Sequence, residues 1–182
     1  MPINRPKDPL LLAGKVLTFF MQGAMAIAAV ALAIAIPAVL LFSTDFAISA
    51  GMEDASFPEG FPIPALVGVM AIGIAIVAAL FVFFGKLRNI IGTVGEGDPF
   101  VPANADRLNA MAWLLLATQV LLLPAAGLGM LLVEWADEAE GAEFSVDGGL
   151  DLSGILMVVV LFILARVFRQ GAAMREDLEG TV

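Results

Sequence analysis

The sequence predicts an all-α integral membrane protein, a four-transmembrane-helix bundle with both termini cytoplasmic. Three observations carry that expectation. Of 182 residues, 60% are hydrophobic and 15% charged, with a mean hydropathy of +0.98, far outside the composition of a soluble globular domain. The apolar residues are gathered into four uncharged runs. All 9 Lys and Arg residues fall on one side of the membrane that those runs imply.

Val16 to Thr44, Gly60 to Gly85 and Leu108 to Val133 each exceed the ~20 residues that cross ~30 Å of hydrocarbon as helix. The fourth run, Leu152 to Ala165, is shorter and spans only if Val167 and Phe168 continue it past Arg166. Counted from Leu150 to Phe168 it reaches about 28 Å at ~1.5 Å per residue. Arg166 then lies within a turn of the membrane edge, its aliphatic stem in apolar surroundings and its guanidinium at the headgroups. The expected spans are therefore about 16–42, 62–85, 108–133 and 150–168. A cytoplasmic loop over 86–107 and a tail over 169–182 complete a single membrane domain, 1–182.

Charge tests this count independently, because inserted helices keep Lys and Arg on the cytoplasmic side. Arg5, Lys7 and Lys15 precede the first span, Lys86, Arg88 and Arg107 lie between the second and third, and Arg166, Arg169 and Arg175 close the chain. The other two loops carry only acids, among them Asp45, Glu53 and Glu59, then Glu134, Asp137 and Asp151. A fourth segment that turned back would strand three arginines outside, so the pattern favours spanning over re-entry. The first run is also about twice the 7 to 15 residues of a cleavable signal's apolar core.

Asp8 and Pro9 read as cap and first-turn proline of helix one, which should run through Lys15 to about Phe42. Pro37 in helix one and Pro124 in helix three each remove a hydrogen bond and predict kinks. Small residues four apart, Ala24 with Ala28, Ala29 with Ala33, and Ala71 with Ala75 and Ala79, predict close helix contact. Leu87, Ile90, Ile91 and Val94 continue helix two until Gly95 and Gly97 stop it. Asp98 to Phe100 then turn the chain, and Pro102 to Asn104 enter helix three. In the tail, Val167, Phe168, Met174 and Leu178 suit one helical face lying under the bundle. Outside, Ala142 to Asp147 alternates apolar and polar residues before Gly148 and Gly149, suiting a strand that the segment around Phe46 and Ile48 would pair, a short extracytoplasmic β-hairpin-like cap.

The chain has no His, Cys or Tyr, which removes the usual metal ligands, every thiol nucleophile and the commonest general base. No catalytic constellation, cofactor or metal site is expected. Gly92, Gly95 and Gly97 do not form a phosphate loop, since Lys86 precedes them on a helix. Asp137, Glu138, Glu140 and Gly141 do not fit calcium-loop spacing. Gln22 and Gln119 are the polar residues at membrane depth, about 10 and 18 Å beyond Lys15 and Arg107, suited to interhelical hydrogen bonds or to lining a solute path. A coupled carrier usually keeps an acid or His inside the bilayer, and the first three runs have none. Lys86, Arg88, Phe100, Asn104, Arg107, Arg166, Arg169 and Arg175 are the candidates for partner docking or contact with anionic lipid.

Gly97-Asp98-Pro99-Phe100, Asn104, Arg107 and Leu108, the ending Leu164 to Gly171, and Arg175-Glu176-Asp177 resemble the bacterial four-helix membrane family catalogued as domain of unknown function 2975. The likeness runs from helix one to the C-terminus, with its distinctive motifs in the cytoplasmic loop and tail. The resemblance implies an inner-membrane location, no established reaction, and a gene often beside that of a small helix-turn-helix regulator. The resulting expectation is a non-enzymatic membrane protein that meets lipid and docks such a regulator, without itself touching nucleic acid. The alternative is a small solute transporter or channel, acting as a homo-oligomer.

Overall fold

The structure, a computed structural model, describes residues 9–43, 51, 57–58, 60–140 and 151–179. They form α1 (Pro9–Leu41), α2 (Ile63–Gly95), α3 (Pro102–Glu140) and α4 (Leu152–Glu179), with no strand among the described residues. All four helices are long and apolar enough to cross a membrane, so the chain is a multi-pass membrane protein. The expected cap lies outside the described residues.

α1 begins at Pro9, where the missing N–H would have had no intrahelical partner. It continues through Pro37, as α3 does through Pro124. α2 runs past the apolar stretch to Gly95 on the period set by Leu87, Ile90, Ile91 and Val94. Its end is a Schellman closure: the Asp98 N–H donates to the Thr93 carbonyl and the Gly97 N–H to that of Val94, both at 3.0 Å. Gly97 takes φ +88°, which a side chain would strain. Pro102 then opens α3 in the favoured first position.

α4 is unbroken to Glu179, so the tail extends the fourth helix and is not a separate element beneath the others. Its buried stripe is Val158, Leu161, Ala165 and Ala172, with Phe168 half-buried on the same side. Val167, Met174 and Leu178 keep the common face expected of them and are exposed, whereas Phe168, expected on that face, turns to the buried side. The 3.6-residue period set by Leu161 and Ala165 carries through Phe168 to Ala172 and leaves those three together on one exposed face.

The chain groups into two compact units. The first takes Met1–Met25, Ala79–Ala117 and Leu152–Val182. Its core is Ile90, Leu108, Met111, Ala112, Leu161 and Ala165, supplied by α2, α3 and α4. α1 approaches where Gly14 leaves room, since a Cβ there would lie 3.1 Å from the Ile91 Cδ1. The second unit takes Ala26–Ala78 and Thr118–Asp151. There Phe61 stacks on Phe57 and meets Trp135 edge-on, each at a centroid distance of 4.9 Å. Gly68 and Gly73 face Leu128 and Leu32, whereas Ala71 and Ala75 are exposed. In that unit α2 is therefore approached at two separate points, by α3 at Gly68 and by α1 at Gly73, and not along Ala71 and Ala75.

Candidate functional site: the basic end of the chain

The first unit holds every described Lys and Arg. Lys15 lies on the second turn of α1, Arg88 on the polar extension of α2, and Arg107 on the second turn of α3. The three side chains, with Asn89, Thr93 and Glu96, line a cavity of about 480 Å³. The glycines and prolines that end α2 and start α3 make the turn bringing Thr93 and Arg107 to one place.

Asn104 organises this turn. Its side chain is wholly buried, and its Nδ2 donates to the Thr93 Oγ1 at 2.8 Å and to the Pro99 carbonyl at 2.9 Å. Its Oδ1 accepts from the Arg107 Nη1 at 2.8 Å, and the Thr93 hydroxyl donates in turn to the Ile90 carbonyl at 2.9 Å. Both ends of a buried amide are thus satisfied, and the guanidinium is held in one orientation.

Two other arginines are matched with carboxylates. Arg175 pairs with Asp98, tying α4 to the α2–α3 turn. Arg169 reaches Asp106 at 3.4 Å, but with side chains 65% and 78% exposed this pair adds little. Lys15, Lys86, Arg88, Arg107 and Arg166 have no carboxylate within ion-pair distance among the described residues.

Phe100 packs its ring 5.4 Å from that of Phe168 and over Gly171, where a Cβ would stand 2.6 Å from the Phe100 Cδ1. Phe100 and Arg175 line a recess of about 290 Å³, while Arg166 and Arg169 line another of about 450 Å³. The structure thus divides the expected candidates: Arg88, Asn104 and Arg107 act together, Phe100 with Arg175, and Arg166 with Arg169. Lys86 lines none of these cavities. Sequence reasoning missed Lys15, Asn89 and Thr93 as members of the site. Asn89 and Thr93 carry a readable signal, two polar residues four apart in the extension of an apolar helix.

The glutamines are separate features. Gln22 donates from Nε2 to the Phe81 carbonyl at 3.3 Å, with Gly85 leaving the space, an interhelical hydrogen bond. Gln119 is 5% exposed and its Nε2 lies 3.5 Å from the Asp151 carbonyl, while its Oε1 has no partner among the described residues. Asp151, read from the sequence as an outer-loop acid, therefore lies level with Gln119, only about 18 Å along α3 from Arg107. Among the described residues no three metal-ligating side chains converge.

The family model described as Protein of unknown function (DUF2975) matches residues 24–182. No curated protein and no solved structure matches the chain.

Proposed function

The chain belongs to the family of proteins of unknown function 2975, and we propose that it is a non-enzymatic bacterial inner-membrane protein whose cytoplasmic end docks a partner protein. By family context the partner is a small helix-turn-helix transcriptional regulator, and the role is to pass membrane state to it. The supporting observation is the Thr93–Asn104–Arg107 network. It fixes a turn outside the apolar spans more firmly than a solvated linker requires, and a fixed surface reduces the entropy lost on binding. With both termini cytoplasmic, the cavity edge that carries Arg88 and Arg107 forms the contact face.

The test is co-purification of the neighbouring regulator from membranes. Wild type and Arg169→Glu should retain it and Arg88→Glu should lose it. Equal recovery with all three, or recovery with none, removes the docking reading.

One observation favours a second reading, a channel or transporter built by several copies. Gln119, whose Oε1 has no partner among the described residues, meets the Asp151 carbonyl, and polar groups so grouped on apolar helices suit a solute path. Flux through liposomes that falls with Asp151→Asn would support it. Flux that is absent, or unchanged by that substitution, would eliminate it.

A further inference from the structure

We propose that the cavity lined by Lys15, Arg88 and Arg107 is a binding site for the phosphate of one anionic phospholipid. This goes beyond the docking reading and needs no protein partner.

The first argument is charge. Three helices each deliver one cation to the same cavity, against a single carboxylate, Glu96, on its wall. Elsewhere in this unit Arg169 and Arg175 meet Asp106 and Asp98, but none of these three does so among the described residues. Gathering like charges at an apolar boundary is unfavourable unless an anion joins them. Asn89 and Thr93 add neutral polar groups to the wall, and Asn104 fixes Arg107 before any ligand arrives. Pre-aimed guanidinium donors are the strongest phosphate ligands a side chain offers.

The second argument is depth. Lys15 immediately precedes the uncharged run from Val16, Arg107 immediately precedes that from Leu108, and Arg88 follows Gly85 within one turn. All three stand where hydrocarbon gives way to headgroups, the level of a lipid phosphate. The third argument is the cavity's apolar wall. Phe19 stands one turn deeper than Lys15 on α1, is largely exposed, and lines the same cavity. A ligand with phosphate at one end and hydrocarbon at the other matches that arrangement, whereas a soluble phosphate would leave the ring unused. A volume of about 480 Å³ also suits a glycerophosphate headgroup.

The experiment is native mass spectrometry of the full chain, released from nanodiscs of equal phosphatidylglycerol and phosphatidylcholine. Wild type and Arg169→Gln should each retain one phosphatidylglycerol in preference to phosphatidylcholine. Lys15→Gln/Arg88→Gln, which leaves the Asn104–Arg107 bond in place, should lower that retention about tenfold. The thermal transition of the double variant is measured alongside. If it falls, Arg88→Gln alone, the milder change, takes its place and should still lower retention below that of Arg169→Gln. The proposal is overturned if retention is the same in the cavity variants and Arg169→Gln, or if the two lipids are held equally. Displacement of the retained lipid by millimolar inorganic phosphate would overturn the lipid as occupant and assign the cavity to a soluble anion.

Discussion

Asn104 and Thr93 are joined side chain to side chain at 2.8 Å, locking the first turn of α3 to the last turn of α2. Because the amide is wholly buried, its loss leaves the Pro99 carbonyl and the Arg107 guanidinium without their partner. Asn104→Leu is expected to destabilise the fold by about 1–3 kcal/mol. Thr93→Val should cost less, and the double variant should fall short of the sum by at least about 0.5 kcal/mol. Denaturant unfolding in micelles reads both values, and strict additivity would contradict the network.

Gly171 has a steric task. A methyl there would meet Phe100 at 2.6 Å, and the ring is already engaged with Phe168. Gly171→Ala should therefore cost about 1–3 kcal/mol despite alanine's better helix propensity. In a Phe100→Leu background the same change should be nearly neutral. An equal cost in both backgrounds would show that Phe100 is not the obstacle.

Gly97 sits at φ +88° as the residue that ends α2. Gly97→Val is expected to lose about 1–2 kcal/mol, and Gly97→Asn clearly less, because Asn tolerates the left-handed region. Thermal melts of the two variants check the ranking, which fails if Asn is as damaging as Val.

The absence of cysteine makes the topology directly measurable. In intact cells an impermeant maleimide should label Asp137→Cys but reach Glu96→Cys only after lysis. Labelling of Glu96→Cys from outside would invert the proposed orientation and move the basic end out of the cytoplasm.

The helices were legible because their signals are local: uncharged runs long enough to span, Pro9 and Pro102 at starts, Gly97 at a stop. The lipid-facing sides were not, because hydrophobicity cannot separate a face turned to lipid from one turned to protein. For that reason the Ala71 and Ala75 repeat pointed to a face that is exposed, and Phe168 was grouped with Val167, Met174 and Leu178 although it turns to the buried side of α4. The site was half legible. Arg88, Asn104 and Arg107 stood out as polar residues flanking apolar runs. Lys15 joins them only through the packing of α1 against Ile91, a contact between residues distant in the chain. The level at which α4 begins beside α3 was not legible at all, because run length says nothing about where the next helix starts, and only the Gln119–Asp151 contact supplies it.

α4 is one unbroken helix from Leu152 to Glu179, although only Leu152 to Ala165 of it is uncharged. The stretch from Arg166 onward is therefore a stiff lever of ~21 Å at ~1.5 Å per residue. Any change in the tilt of the apolar part is carried without slack to Arg175 and, through its ion pair, to Asp98 in the α2–α3 turn.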